Sequence, residues 1–372
     1  MFKDYTKDNQ TSSYIRFLEE HPQTPFRKEA EEIIFERLTL ANSSQDYLDF
    51  IRRYPQSHLL KKATDILYFL EVEKSQQITQ DVYRLHSAID SLQKLHERNH
   101  KVLFPIYENN SFGFMDTKGA VILKEAYEQI DESYLCGAIT DNWLQVTSAG
   151  VNQLVTRNGV QLLNNVSDYR SIGSQFKVVV NAYGSHLYHA SGFKVLDQSV
   201  EDAQLLSNGW IAFKQEYSWG ICAPNGSVIL PAKYNVIRQE GPFVILEEDE
   251  ELSVSTLERL ATSRSTVPFQ FDDYELLQDS LLQVFNEDQE GVLDQNLEFV
   301  VPIDDHEVYI NGSFWYLVKG DQYKMIKEEK SKVVNQDFTE IDVNDGWLAL
   351  KKEEWILLSR KPDGLMPKNN ID

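Results

Sequence analysis

Between residues 102 and 358, apolar and polar residues alternate in short runs that are separated by turn-forming residues. Alternation with a period of two is typical of half-buried β-strands. The stretch 208–249 is the clearest example and contains the Asn225-Gly226 dipeptide followed by Pro231. A type I′ turn requires positive φ at both central residues, so Asn225-Gly226 predicts a hairpin turn of that type. Because Pro231 cannot donate to a strand ladder, we expect it to end the second strand.

The same order of residues recurs along this region and indicates a repeat of about 34 residues. Its best copy contains an aromatic-Gly pair, a turn dipeptide and a Pro-x-x-Tyr segment. Hairpin positions at 119, 159, 192, 226 and 296 leave room for one divergent unit between about 247 and 284, which gives about seven units. The positions with a predicted structural role in the repeat are Gly113, Gly119, Trp143, Gly159, Trp210, Trp219, Gly220, Gly226, Pro231, Tyr234 and Trp347.

This pattern resembles the bacterial WG repeat family, whose units carry an aromatic-Gly pair, an Asx/Lys-Gly turn, a Pro-x-x-Tyr segment and a closing aromatic strand. Trp219-Gly220, Asn225-Gly226 and Pro231-Ala232-Lys233-Tyr234 fit all of that motif. The resemblance covers about residues 102–358 and is strongest in this one unit. It implies an interaction module rather than an enzyme.

A second repeat occupies the N-terminal region, where residues 13–18 align with residues 46–51 at a shift of 33. The same shift places Pro22 on Pro55 and Ala30 on Ala63. Each unit is predicted to be a helix that ends near the proline, a tight turn and a second helix. The pair resembles tetratricopeptide-type hairpins of bacterial envelope proteins, in which Tyr-Pro-x-Ser closes the first helix.

An array of such hairpins normally needs about three members to bury its faces, so another element must cover this pair. The residues that follow, from Ile78 to about Arg98, have one apolar stripe at helical spacing. We expect them to form the capping helix that leads into the β region. A coiled-coil seam for a partner or for a second copy is the alternative.

Composition restricts the class of partner. Lys and Arg number 36 against 58 Asp and Glu, so the formal net charge is −22. Such a charge repels phosphate backbones and anionic lipid surfaces, so we expect no nucleic-acid binding. No apolar run is long enough to span a bilayer, so we expect no direct membrane insertion. Cys136 and Cys222 lie far apart in sequence and are expected to be small apolar residues, with a disulfide between repeat units as the alternative.

Catalytic, cofactor and metal signatures are not found in the sequence. Residues 286–291 begin like a calcium loop, but position twelve is Leu297, which favours an ordinary turn between strands. His186 and His189 are expected to face opposite sides of one strand. The acidic run 247–251 is expected to be a solvated loop, with docking of a basic partner as the alternative. Trp315 and Trp355 break the repeat pattern and are our candidate recognition residues.

The predicted fold class is α+β multidomain, with N-terminal helical hairpins followed by an all-β repeat domain. The predicted domains are helical repeats at 1–75, a capping or linker helix at 76–100, the WG-repeat β domain at 101–358 and a polar C-terminal tail at 359–372. Radial closure into a β-propeller of about seven blades is favoured because it removes sheet edges, and an open β-solenoid is the runner-up. We expect strand 354–358 to pair with strand 102–107 and close the ring.

Two repeat domains without a catalytic constellation predict a protein-binding scaffold or adaptor in a bacterial multiprotein assembly. The helical resemblance favours the periplasm or cell envelope, whereas the lack of a signal peptide at Met1-Phe2-Lys3-Asp4 favours the cytoplasm. A small-ligand or glycan-binding β-propeller module is the alternative function. An enzyme with a loop-built site is the third.

Overall fold

The computed structural model describes the chain except for residues 76–101, 158, 264–266, 278–279, 312–313, 321, 328–331, 339, 345–346, 352–354, 360–365 and 372; beyond residue 320 only the backbone is described. The described residues form two compact units, Met1–Lys233 and Tyr234–Asp372. The first contains five α-helices followed by four antiparallel sheets, and the second contains four further sheets and one α-helix. The predicted boundary near residue 100 is therefore not a boundary between compact units.

The first unit begins with two helical hairpins, as the repeat at a shift of 33 predicts. Its helices are α1 (Phe2–Tyr5), α2 (Thr11–Glu20), α3 (Arg27–Leu38), α4 (Ser44–Arg53) and α5 (Leu60–Ser75). Helix α2 ends before His21-Pro22 and α4 ends before Tyr54-Pro55. These ends follow from sequence, because a residue that precedes proline is disfavoured in the α conformation.

The shift of 33 also determines which helical side chains are buried. Equivalent residues of the two hairpins face one shared core. The buried equivalent pairs are Tyr14 and Tyr47, Phe17 and Phe50, Leu18 and Ile51, and Ala30 and Ala63. The alanines lie in the second helix of each hairpin, where a small side chain allows close helix packing. The described helices include none that is long and apolar enough to cross a membrane.

The β region of the first unit consists of four antiparallel sheets in chain order. Sheet 1 contains β1 (Leu103–Glu108), β2 (Ser111–Asp116) and β3 (Val121–Tyr127); sheet 2 contains β4 (Gln129–Ile130), β5 (Trp143–Ser148), β6 (Val151–Thr156) and β7 (Gln161–Asn164); sheet 3 contains β8 (Val166–Ile172), β9 (Phe176–Asn181) and β10 (Gly184–His189); sheet 4 contains β11 (Asp202–Leu205), β12 (Ile211–Gln215), β13 (Ser218–Cys222) and β14 (Val228–Tyr234). A 3-10 helix, Glu132–Cys136, lies between β4 and β5.

The second unit continues with four four-stranded sheets. Sheet 5 contains β15 (Val236–Glu240), β16 (Phe243–Glu248), β17 (Glu251–Thr256) and β18 (Val267–Phe271), with α6 (Leu257–Ser263) before β18; sheet 6 contains β19 (Asp273–Leu277), β20 (Leu281–Asn286), β21 (Gln289–Asp294) and β22 (Phe299–Asp304); sheet 7 contains β23 (Glu307–Asn311), β24 (Phe314–Lys319), β25 (Gln322–Lys327) and β26 (Lys332–Phe338); sheet 8 contains β27 (Glu340–Asn344), β28 (Trp347–Lys351), β29 (Trp355–Ser359) and β30 (Met366–Ile371). A helical N-terminus followed by a mostly β region is thus confirmed.

Two kinds of turn alternate along each sheet, because consecutive strands are antiparallel neighbours. The first kind, here called bulge turns, has a three-residue loop whose last residue is left-handed. In sheet 4, for example, the Gly226 N–H donates to Ala223 O and the Ala223 N–H donates to Ser227 O, with φ +95° at Gly226. The same bonds occur at 116–120, 156–160, 189–193, 206–210 and 294–298. In the last of these the left-handed residue is Leu297, one position after the predicted 296.

The second kind of turn, here called hairpin tips, lies at the opposite end of the sheets. Hairpin tips join β1 to β2, β5 to β6, β9 to β10, β12 to β13, β16 to β17 and β20 to β21. At four of them both central residues have positive φ: Asn109-Asn110, Ala149-Gly150, Glu216-Tyr217 and Asp249-Glu250. These are the turns with type I′ character, and the type I′ prediction for Asn225-Gly226 is wrong.

Pro231 also differs from its prediction, because it lies inside β14 rather than at its end. Strand β14 is at the edge of sheet 4, where a missing N–H donor is tolerated. The predicted ring closure through strand 354–358 is wrong as well. Strand β29 has β28 on one side and β30 on the other, so neither of its edges remains for β1. The described strands form eight sheets rather than about seven units, and β30 lies in the segment predicted to be a polar tail.

The glycine of the aromatic-Gly pair allows the next strand to approach closely. At Gly220 a Cβ would lie 2.7 Å from Leu230 O and 2.8 Å from Ala232 N. At the equivalent Gly291 a Cβ would lie 2.7 Å from Ile303 Cγ1, and the β21–β22 register shifts between Glu290 and Val292. The β2–β3 register shifts in the same way on either side of Gly113. The repeat therefore keeps glycine where a β-bulge faces it.

We predict that Gly220→Ala lowers the free energy of unfolding by about 1–3 kcal/mol, because the new methyl group overlaps the backbone of β14. Gly137→Ala is the matched control, since Gly137 has φ 174° and no atom within 4 Å of its Cβ position. Urea unfolding followed by tryptophan fluorescence measures both variants. Equal unfolding midpoints for the two variants would contradict the role of Gly220.

Candidate functional site

The helices of the first unit pack on the bulge-turn end of its sheets. Trp210, immediately before the second strand of sheet 4, is fully buried, and its Nε1–H donates to Leu40 O between α3 and α4 at 2.8 Å. Asn42 Nδ2 donates to Asn208 O at 3.1 Å. A Cβ at Gly209 would lie 2.5 Å from Asn42 Nδ2. Glycine is therefore required at this position both for the φ of +83° and because the Asn42 side chain lies so close. Here the repeat residues of the sheets contact the helices directly.

Asn225 makes the most extensive polar contact between the two regions. Its Nδ2 donates to Glu36 O at 3.0 Å and to Thr39 Oγ1 at 2.8 Å, while its Oδ1 accepts from Ser227 N–H within the turn. From α5, Lys62 Nζ donates to Asn225 O at 2.6 Å. Burial lowers the pKa of Lys62. Asn225 therefore joins this turn to α3 and the residue after it through its side chain, and to α5 through its main-chain carbonyl.

His189 packs in the same interface between helices and sheets, on the side of sheet 3. Its ring stacks on Phe193 at 4.7 Å and meets the edges of Phe69 of α5 and Phe176 of β9. The Ser191 N–H donates to its Nδ1 at 3.2 Å, which makes Nδ1 an acceptor. Burial lowers the pKa of His189 to about 3, so the ring is neutral at physiological pH. His186, three residues earlier on the strand, is only half-buried.

These contacts explain how only two helical hairpins bury their apolar faces. Ala190 and Phe193 of sheet 3 belong to the same apolar core as the helices. Turns between strands thus cover part of the helical pair, a role that the sequence predicts for a capping helix. The predicted capping helix at 76–100 lies outside the described residues.

The hairpin-tip end of the same sheets exposes aromatic side chains. Tyr183, at the tip of sheet 3, is 87% exposed, and Tyr217, at the tip of sheet 4, is 84% exposed. We call this pair the tyrosine tips. Sheets 3 and 4 share one apolar core, so the two tips belong to neighbouring sheets. Tyr107, next to the tip of sheet 1, is 59% exposed.

Carboxylates surround the tyrosine tips. Glu216 shares the tip of sheet 4 with Tyr217 and is exposed. Asp168, also exposed, pairs with Val180 near the tip of sheet 3. Exposed Glu201 donates its backbone N–H to Lys214 O, close to the tip of sheet 4. The arrangement can offer aromatic faces and negative charge together to a basic protein surface.

The predicted repeat residues have several environments. Trp143 is fully buried; its Nε1–H donates to Ala190 O, and its ring packs with Val179 and Tyr188 of sheet 3. Tyr234 is buried, Trp219 is half-buried and Pro231 is exposed. Gly119 and Gly159 are left-handed residues of bulge turns, like Gly226. Trp347 begins β28, but its side chain lies outside the described part of the structure.

The candidate recognition residues Trp315 and Trp355 lie on β24 and β29 by backbone position. Their side chains are likewise outside the described part, so a recognition role for them stays a prediction. Sequence reasoning missed Tyr183 and Tyr217 as a pair. Their only sequence signal is an aromatic residue between two strands, at a position where turn formers are usual.

The remaining candidate residues have simple surroundings. Both cysteines are free thiols, Cys136 exposed and Cys222 buried. The acidic run 247–251 forms the hairpin tip of sheet 5, and residues 286–291 span that of sheet 6. Across the described residues, no three His, Cys, Asp or Glu side chains are grouped so that they could hold a metal ion.

Comparisons with known proteins identify no family. No protein-family model matches the chain, and no curated protein matches it in sequence. Among solved structures, Kluyveromyces lactis Hsv2 matches at 11% identity over 62% of this chain and 96% of its own, with a TM-score of 0.25. PorZ, a surface component of the type-IX secretion system of Porphyromonas gingivalis, matches at 11% identity over 61% of this chain and 36% of its own, with a TM-score of 0.21. Similarities at these TM-scores support no inference about fold or function.

We predict that Asn225→Asp loosens the helices from the sheets. The variant keeps the acceptor for Ser227 N–H but replaces the Nδ2 donor with a buried oxygen that faces Glu36 O. Loss of a buried donor together with burial of a charge should cost about 3 kcal/mol. Hydrogen exchange of backbone amides in α3 and α4 measures the effect as faster exchange.

Asn296→Asp is the matched control, because Asn296 occupies the same place in the bulge turn of sheet 6 and is exposed there. It should leave exchange in α3 and α4 unchanged. If both variants left these helices equally protected, the bridging role of Asn225 would be excluded.

Proposed function

We propose that the chain is a non-catalytic protein-binding scaffold of a bacterial multiprotein assembly, and that a partner docks on the tyrosine tips. The observation that supports this function is the near-complete exposure of Tyr183 and Tyr217 on neighbouring sheets. Tyrosine gives a large, rigid contact area at low entropic cost and is enriched at protein interfaces. The bulge-turn end of sheets 3 and 4 contacts the helices, which leaves the tips for a partner.

The backbone of Tyr217 strengthens this argument. Tyr217 has φ +74°, in the left-handed region where residues with a Cβ cost about 1–2 kcal/mol. In the other three tips of this kind, the equivalent second central position is occupied by Asn110, Gly150 and Glu250. An aromatic residue there serves neither the turn nor the core, and it is best explained by contact with a partner.

The charge around the tyrosine tips indicates the kind of partner. Asp168, Glu201 and Glu216 are exposed beside the tips, and the whole chain carries a net charge of −22. Electrostatic complementarity mainly sets partner choice and association rate. A protein with a basic surface is therefore the partner class that fits.

For the architecture, we propose that the β region is a WG-repeat β-propeller and that each sheet is one blade. The support is the recurring antiparallel meander of three or four strands, with bulge turns at one end and hairpin tips at the other. A compact chain of 372 residues should have a radius of gyration of roughly 21 Å. Small-angle X-ray scattering measures this quantity, and a clearly larger value would favour the open β-solenoid.

A tip variant tests the proposed function directly. We predict that Tyr183→Ser combined with Tyr217→Gly abolishes partner capture, while the protein melts at the same or a higher temperature. Glycine removes the strain of the left-handed conformation at position 217, which stabilises the folded state, but it also increases the conformational entropy of the unfolded chain. The net increase in the free energy of unfolding should be up to about 1 kcal/mol. Affinity capture from lysate and thermal unfolding measure the two effects.

Val160→Ser is the matched control, because Val160 is an exposed apolar residue, 58% accessible, in the bulge turn of sheet 2. It should retain the partner. Capture of the same protein by wild type and by the tip variant would contradict docking at the tyrosine tips. Recovery of no partner by the wild-type chain would instead support the ligand- or glycan-binding alternative.

A further inference from the structure

A cleft of about 430 Å³ opens in the second unit beside the hairpin tip of sheet 6. Its walls come from that tip at Glu287 and Asp288, from the connection between β22 and β23, and from the end of β24. This volume is within the range of small-ligand pockets. The tip residues are exposed, so a group carried on a protein surface can reach the cleft.

The cleft is strongly acidic. Glu287, Asp288, Glu290, Asp305 and Glu307 contribute carboxylates to its lining. The one ammonium group in the lining is that of Lys319, whose Nζ lies 3.3 Å from Asp304 Oδ1 and 3.9 Å from Asp305 Oδ2. Excess negative charge therefore remains inside the cleft.

One of these carboxylates is held in place by the fold. Glu290 Oε2 accepts from Gln283 Nε2 at 2.8 Å and from the Val308 N–H at 2.7 Å. The first bond lies within sheet 6, and the second joins sheet 6 to the first strand of sheet 7. A carboxylate fixed in this way does not have to be ordered when a ligand binds, which favours affinity.

His306 provides a second and independent indication of a ligand. Its side chain lines the cleft although the residue is only 9% exposed. Its Nε2 is enclosed and has no hydrogen-bond partner among the described residues. A buried polar atom without a partner is costly, and a ligand that hydrogen-bonds to it removes that cost.

The carboxylates are spread around the cleft, and the described residues contain no three-ligand group that could hold a metal ion. A guanidinium group suits such a distribution, because its planar fork directs five N–H donors toward separate acceptors. Phe285 and Val318 add an apolar wall along which an arginine stem can lie. We propose that this cleft binds an arginine side chain carried by a segment of a partner protein.

This site is separate from the tyrosine tips of the first unit, so either proposal can fail without the other. Isothermal titration calorimetry of the full chain at low salt tests the cleft with a glycine-serine peptide that contains arginine. The same peptide with citrulline in place of arginine keeps the shape and removes the charge. We expect the arginine peptide to bind and the citrulline peptide to bind at least about tenfold more weakly.

Glu287→Gln combined with Asp288→Asn should weaken the arginine peptide at least about tenfold. The matched control is Asp249→Asn with Glu250→Gln, which removes two charges from the equivalent hairpin tip of sheet 5. It should change the affinity less than about twofold. His306→Phe should also weaken binding, because it removes the ring nitrogen that has no partner.

Three results would overturn the proposal. Equal binding of the arginine and citrulline peptides would show that charge is not recognised. If the sheet 5 control lost as much affinity for the arginine peptide, the binding would come from general attraction to an acidic protein and not from this cleft. Arginine amide that binds as tightly as the peptide would identify a small molecule, rather than a partner segment, as the ligand.

Discussion

The first unit depends on buried hydrogen bonds between helix ends and strand turns. Asn225, Trp210 and Lys62 each join a helical segment to a turn of sheet 4; the Trp210 bond is buried and the other two are partly buried. A polar group buried in this way must find its partner, which makes the contact specific as well as stabilising. The apolar surfaces of Phe69, His189 and Phe193 then complete the interface. Two helical hairpins and four sheets become one compact unit for this reason.

The two kinds of turn in that unit have different roles: bulge turns contact the helices, and hairpin tips are exposed. Bulge turns need one left-handed residue, and their glycines allow helices to approach closely, as at Gly209. Hairpin tips are far from the helices and carry the exposed tyrosines. The antiparallel meander places these turns at opposite ends, so docking of the helices leaves the tips accessible.

Local patterns in the sequence predicted the elements well and their partners poorly. The shift of 33 located both helical hairpins and their buried faces, since burial there follows from helical periodicity. The repeat located sheet 4 and the role of Gly220, but it assigned the type I′ turn to Asn225-Gly226. At one of the actual type I′ tips, Glu216-Tyr217, neither residue has a turn preference, and the register of β12 and β13 holds them there. The packing of α3 on residue 225 joins positions 189 apart, and no local pattern records such a contact.

That separation in sequence has a consequence during synthesis. The helical hairpins are synthesised before sheet 4, and the turn whose Asn225 Nδ2 donates to Glu36 O follows 189 residues later. At elongation rates of 5–20 residues per second, the delay is about 10–40 seconds. During that time the apolar face that later packs against Ala190 and Phe193 is exposed in the nascent chain. Until sheets 3 and 4 are synthesised, this exposed apolar face makes the nascent chain prone to aggregation.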